Sequence, residues 1–123
     1  MYKYCDNSPQ KEIMEKRTVK DNVHGNITLS NTLWNIVDTP EYQRMRDIKQ
    51  LGAVFYVYPG ATHTRFEHCI GTGFLALKLA TQLKAKSDIS KRDINNIAIA
   101  GLTHDLGHAT YSHLFEKLVM KKL

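Results

Sequence analysis

Cysteine is scarce in this sequence: two in 123 residues, Cys5 and Cys69, far apart and in no CxxC pair. That excludes a disulfide framework and a thiolate metal knuckle. The thiols are read as reduced, which fits an intracellular protein, cytoplasmic or nuclear. Any bound metal must then be held by nitrogen and oxygen. Long apolar runs are lacking too. None approaches the roughly 18 residues a membrane span needs, and the polar N-terminus is no signal peptide. Internal repeats and low-complexity tracts are missing as well. Acidic residues are outnumbered, 12 against 17 Lys and Arg, for a formal charge of +5. That balance favours anionic partners such as nucleotides or nucleic acid. The basic residues are scattered, however, as on a solvated face.

What is present is an ordinary globular composition, 42% hydrophobic and 24% charged. The length suits one domain or part of one, with a small single core. Residues 1 to about 16 read as a loosely held arm. Three of the six histidines fall in one stretch, His104-Asp105-Leu106-Gly107-His108-Ala109-Thr110-Tyr111-Ser112-His113. His104 and Asp105 are adjacent, so they can serve one point only where a helix ends and the backbone turns. Gly107 is expected to supply that turn. A plain alternative is a helix C-terminus whose dipole favours histidine.

In chain order, Thr18 to Leu29 reads as extended, with turns at Asp21-Asn22 and His24-Gly25-Asn26. His24 is given a structural role there. Ser30 is an N-cap for a helix through Val37. Thr39 caps a second helix with Pro40 at its first position, running to about Gln50. Its inward stripe is Tyr42, Met45, Ile48 and Leu51, leaving Arg44, Arg46 and Lys49 available to anions. Ala53 to Tyr58 reads as a strand paired with residues 18–29. A long helix starts near Thr64 and ends near Lys84, with His68 in its first turns. Gly71 and Gly73 suggest close approach by another helix. Ser90 to Asp93 resembles a capping box opening a helix that ends at His104-Asp105. Ser112 caps a final amphipathic segment carrying Phe115, Leu118 and Val119. The fold class is therefore all-α with a minor two-stranded β-hairpin.

The chemistry follows from His68 on one helix meeting His104 and Asp105 at the end of the next. Three ligands with open positions describe a catalytic metal better than a structural one. Imidazole and carboxylate suit Fe, Mn, Zn or Mg. Such an ion lowers the pKa of bound water and polarises a phosphoryl oxygen. His108 and His113 lie just beyond and belong to a residue type suited to proton donation at neutral pH. Arg65 offers a planar fork for a phosphate. Metal-assisted phosphate-ester hydrolysis is the reaction class these residues indicate.

Arg65-Phe66-Glu67-His68, then His104-Asp105-Leu106-Gly107-His108 and Ser112-His113, resemble the HD superfamily of metal phosphohydrolases. Within it the sequence is similar to the deoxynucleoside triphosphate triphosphohydrolase branch. Further blocks are Asp21-Asn22-Val23-His24-Gly25, Asp38 to Arg44, Ile48 to Gly52 and Tyr58-Pro59-Gly60-Ala61. The resemblance implies an all-α fold with a minor hairpin, and His68, His104 and Asp105 as metal ligands. It implies Gln50, Leu51 and Arg65 near substrate, His108 beside the phosphates and His113 as the acid for the leaving oxygen. The implied reaction converts a dNTP, such as dGTP, to a deoxynucleoside and triphosphate. Asp38, Gln43 and Arg46 match positions that bind a GTP or dGTP activator between subunits, which implies a homo-oligomer. A fourth ligand, an aspartate, and further triphosphate-holding residues are expected beyond Leu123. On that expectation residues 17–123 are a partial HD domain, the N-terminal portion of a longer enzyme: a truncated or split gene product with a complementing C-terminal fragment, or a reduced homologue. A non-enzymatic alternative is a degenerate HD module that binds nucleotide, nucleic acid or a partner subunit. A third retains the chemistry on a nucleoside monophosphate or cyclic nucleotide.

Overall fold

The computed structural model describes residues 16–111 and 115–122. The expected arm thus lies almost wholly outside the described residues, as do Ser112 and His113.

The first element is a hairpin of β1 (Arg17–Asp21) and β2 (Gly25–Leu29), with Val19 opposite Ile27 and Asp21 opposite Gly25. Its turn is closed by the Asp21 carboxylate, which accepts from the amides of Val23 and His24 at 2.9 and 2.8 Å. Gly25 follows at φ +73°, where a side chain would be strained. Period-two alternation sends Ile27 and Leu29 inward and leaves Asn26 and Thr28 exposed. The hairpin is therefore built wholly within the 17–29 stretch.

Ala53 to Tyr58 takes no part in the hairpin, contrary to the expected pairing. Gly52–Tyr56 is a 3₁₀ helix, entered through Gly52 at φ +58°. Val54, Tyr56, Val57 and Tyr58 are exposed. β-Branched and aromatic residues favour a strand only where a half-buried sheet surface receives them. Among the described residues no strand lies beside this segment, so that preference has no neighbour to act through.

Ser30 precedes α1 (Asn31–Val37), which buries Leu33, Trp34 and Val37. Trp34 ties the helix to the hairpin, donating its indole N–H to the Arg17 carbonyl at 3.0 Å beneath the Arg17 guanidinium. Thr39 and Pro40 open α2 as expected, but α2 (Pro40–Gln43) is one turn long. It tightens into a 3₁₀ turn at Arg44–Asp47, and Ile48 is extended. Tyr42, Met45 and Ile48 are all buried. Their spacing of three is the 3₁₀ period, which an α-helical reading mistakes for its own stripe. The expected fourth member, Leu51, is half exposed.

From Ile48 the chain runs alongside the segment before the long helix. Gln50 N–H donates to the His63 carbonyl at 3.1 Å and Arg65 N–H to the Ile48 carbonyl at 2.9 Å. That pairing delivers Gln50 and Arg65 to the same place. Helix α3 (Arg65–Leu83) follows, with Thr64 at its N-cap. Helix α4 (Lys91–Thr103) opens on a complete capping box between Ser90 and Asp93.

The two long helices cross where both are glycine. A Cβ on Gly73 would lie 2.5 Å from Leu102 Cγ, and one on Gly101 would lie 3.1 Å from Gly73 Cα. Gly71 has a different neighbour, His24, whose Nε2 lies 3.0 Å from a Cβ placed there. The core gathers Ile27, Leu29, Leu33, Val37, Tyr42, Met45, Phe66, Cys69, Ile70, Ala98 and Leu102. It unites hairpin, short helices and the α3–α4 pair into a mainly α fold with a minor hairpin. Among the described residues no helix is long and apolar enough to cross a membrane.

Candidate metal centre

His68 lies one turn into α3, on the same face as Arg65 three positions earlier. His104 is the C-cap of α4, and Asp105 follows in the turn beyond. The glycine crossing brings these helix ends together. His68 Nε2 is 3.0 Å from His104 Nε2, and His104 Nε2 is 3.5 Å from Asp105 Oδ1. His68 Nε2 lies 3.7 Å from Asp105 Oδ2. One ligand atom from each of the three residues falls within 4.8 Å of the others.

The donor set fits a divalent cation. His104 Nδ1 is 2.8 Å from the Gly101 carbonyl. A carbonyl only accepts, so Nδ1 carries the proton and the lone pair sits on Nε2, toward His68. Two nitrogens each about 2.1 Å from one ion at a right angle would be about 3.0 Å apart. Both imidazoles are more than a third open to solvent while Asp105 is almost buried. A cation held here would keep positions open on its outer side.

Asp105 is fixed from within. The buried Arg65 guanidinium donates to Oδ2, and Gln50 Nε2 donates to the same oxygen at 3.4 Å. His108 brings Nε2 to 3.5 Å from Oδ1. Burial alone would raise the Asp105 carboxyl; Arg65, Gln50, His104 and His108 outweigh it and hold the group below its ordinary range. Burial and the neighbouring His104 push His68 below the ordinary imidazole value. Both directions favour the forms that bind metal, a carboxylate and a neutral ring.

Arg65 and Gln50, expected near substrate, thus face Asp105, while Leu51 stands half exposed. The contacts of Arg65 and Gln50 with the carboxylate escaped sequence reasoning. Only the i, i+3 relation of Arg65 to His68 hinted at them. Gly107 has no positive φ, and a Cβ there would meet nothing within 4 Å, so it is not the left-handed turn expected. That conformation falls to Tyr111, at φ +67°. Arg44 and Lys49 are engaged by backbone: Arg44 donates to the carbonyls of Leu106 and His108, and Lys49 to that of Thr62. A groove of about 610 Å³ borders His68, with Asp21, His24, His63, Glu67 and Thr72 among its walls.

Of the residues expected to hold an activator, only Arg46 is seen against Phe66. Arg46 stacks its guanidinium 3.5 Å over the Phe66 ring and donates to Gln43 Oε1 at 2.7 Å. Gln43 donates to the Val37 carbonyl at 2.6 Å. Asp38 pairs with Arg17. Gln43 and Arg46 are thus brought together, with Asp38 engaged by the hairpin.

Comparison with known proteins gives a family match and a set of similar relatives. Residues 65–122 match the HD domain family. The deoxynucleoside triphosphate triphosphohydrolase SAMHD1 of Bos taurus is 50% identical over 103 residues, covering 81% of this chain and 18% of the relative. That of Homo sapiens is 46% identical over 116 residues, covering 92% and 18%. The SAMHD1 homolog of Dictyostelium discoideum is 40% identical over 106 residues, covering 84% and 21%. The chain spans about a fifth of the length of these curated relatives. Residues 65–122 are similar to the HD-domain family, and most of the chain is similar in sequence to the deoxynucleoside triphosphate triphosphohydrolases.

Proposed function

We propose that the chain carries the metal-holding part of a phosphohydrolase that cleaves a deoxynucleoside triphosphate to deoxynucleoside and triphosphate. The observation that carries this reading is the convergence of His68, His104 and Asp105 within 4.8 Å. The names of the relatives supply the substrate class. His68 and His104 would hold the cation through Nε2 and Asp105 through its carboxylate. A divalent ion there, whether Fe, Mn, Zn or Mg, supplies Lewis acidity toward a phosphoryl oxygen and a more acidic bound water.

The protein's own groups do the rest. Gly101 keeps His104 in the ligating tautomer, and Arg65 with Gln50 keeps Asp105 ionised and oriented. His108, beside the carboxylate, is placed to exchange a proton with a phosphate oxygen, and His113 is the acid for the leaving 5′-oxygen. Gln50 and Leu51 border the deoxynucleoside, and Arg65, buried behind Asp105, acts on the phosphates only through that carboxylate. Asp38, Gln43 and Arg46 hold a guanine-nucleotide activator in an oligomer.

The test is to incubate the purified chain with dGTP, GTP and Mn²⁺ or Mg²⁺ and to assay triphosphate. Release that disappears in His104→Ala is the expected result. A folded chain that binds metal yet releases none is instead the non-enzymatic module, a reading favoured by the three-residue donor set and the basic charge.

A further inference from the structure

We propose that Arg44 is a positioning residue for the histidine–aspartate centre, acting through the backbone that carries His108. Its catalytic consequence rests on the hydrolase reading above; its structural basis does not. Nη2 of Arg44 donates to the Leu106 carbonyl at 2.9 Å and to the His108 carbonyl at 3.0 Å. These acceptors lie 62 and 64 residues further along the chain. They belong to the turn beyond α4, which ends at Thr103.

The amides of that turn face the other way. Leu106 N–H reaches back to the Thr103 carbonyl at 3.0 Å, and His108 N–H to the Asp105 carbonyl at 3.1 Å. The turn is therefore tied to α4 by its donors and to the Arg44–Asp47 turn by its acceptors. A guanidinium suits the second task. It is always charged, it complements the negative end of a helix, and one of its nitrogens offers two hydrogens in a fixed plane. Gly107, between the two carbonyls, has no side chain to pack and no left-handed angle to lock the bend. Arg44 thus adds a hold from outside on a bend that its own segment ties through amides alone. The imidazole so placed lies 3.5 Å from Asp105 Oδ1.

The role differs from that of Arg46, two residues on, whose guanidinium lies over Phe66. It differs also from that of Arg65, which grips the Asp105 side chain. The Arg44 contacts are with the carbonyls of Leu106 and His108, not with the His108 imidazole. Arg44 holds peptide groups.

The experiment compares the full chain with Arg44→Ala and Arg44→Lys by amide hydrogen exchange, metal content and steady-state kinetics. In Arg44→Ala, exchange at the Leu106 and His108 amides should quicken at least about tenfold while α3 keeps its protection. Metal per chain should be unchanged. Misplacing a reacting group by about 1 Å costs on the order of 10²-fold, so kcat should fall by about that factor with KM little altered. Arg44→Lys, retaining charge and donors on a shorter reach, should restore part of both protection and kcat. Unchanged exchange at Leu106 and His108 in Arg44→Ala would overturn the proposal. So would a loss of protection spread evenly over α3 and α4. If the unmodified chain releases no triphosphate, the functional reading fails, and the exchange comparison alone decides the role of Arg44.

Discussion

The guanidinium of Arg65 grips Oδ2 of Asp105 from inside the fold, leaving Oδ1 toward His104 and His108. One carboxylate thereby serves both the fold and the candidate centre, Oδ2 facing His68 as well as Arg65. The arginine begins the helix that carries His68, and the aspartate ends the structure that carries His104. Holding one to the other sets the approach of the two imidazoles.

Removing that arginine leaves a nearly buried carboxylate without its cation. Arg65→Met should therefore destabilise the metal-free protein by about 3–5 kcal/mol. Urea unfolding of EDTA-treated protein measures it. A loss below about 1 kcal/mol would mean that the pair adds nothing beyond a surface contact.

The glycine crossing predicts a cost for a single methyl group. Gly73→Ala drives a Cβ into Leu102 at 2.5 Å, and overpacking of this kind costs about 1–3 kcal/mol. Gly60→Ala is the control, because nothing lies within 4 Å of a Cβ there. Thermal melts of the two variants should separate clearly. Equal melting temperatures would show that α3 and α4 do not meet at Gly73.

A capping box gives stability with a defined pH window. Hydrogen bonds from the Ser90 hydroxyl and amide hold the Asp93 carboxyl below its ordinary 3.8. Its contribution is present above that ordinary value and is lost as pH falls through the lower folded one. Asp93→Asn should thus be less stable than the parent at pH 7 and converge with it once the pH falls below the lowered folded value. Ser90→Ala should cost about 1 kcal/mol at neutral pH. A difference for Asp93→Asn that persists undiminished into acid would exclude the ionised cap.

Metal binding is readable without turnover. A cation held by the folded chain at about 100 times its Kd stabilises it by about 2.7 kcal/mol. Mn²⁺ or Zn²⁺ should raise the melting temperature of the parent protein and leave that of His104→Ala unmoved. A rise of the same size in the variant would place the binding elsewhere.

The thiol of Cys69 should be inert in the native state. Burial, with Asp105 nearby, pushes it up to about 11, and its sulfur lies 3.9 Å from Met45 Sδ inside the core. At pH 8 the thiolate is on the order of one part in a thousand. A disulfide reagent should label Cys69 only as urea unfolds the chain. Rapid labelling of the folded protein at Cys69 would contradict its burial.

Much of this was legible along the chain because its causes are local. Thr39-Pro40 and Ser90 to Asp93 act within four residues, so their helix starts could be read directly. His104-Asp105 announced a helix end because adjacent side chains cannot share a helix face. The strand reading of Ala53 to Tyr58 failed because a strand needs a partner edge beside it, and whether one lies there is set by tertiary structure, not by β propensity. The stripe of Tyr42, Met45 and Ile48 was seen, but its period of three belonged to a tighter coil.

The sequence by itself thus determined which donor atoms are available and where the helices begin. It also settled that any metal must be met by imidazole and carboxylate, because residue type and short-range hydrogen bonding are properties of neighbours in the chain. Tertiary structure alone decided that Arg65 and Gln50 face Asp105 and that Arg44 reaches the carbonyls of Leu106 and His108. These contacts join positions 40 to 64 residues apart. Their geometry follows from how closely Gly73 and Gly101 let two helices cross, a distance that no local pattern encodes.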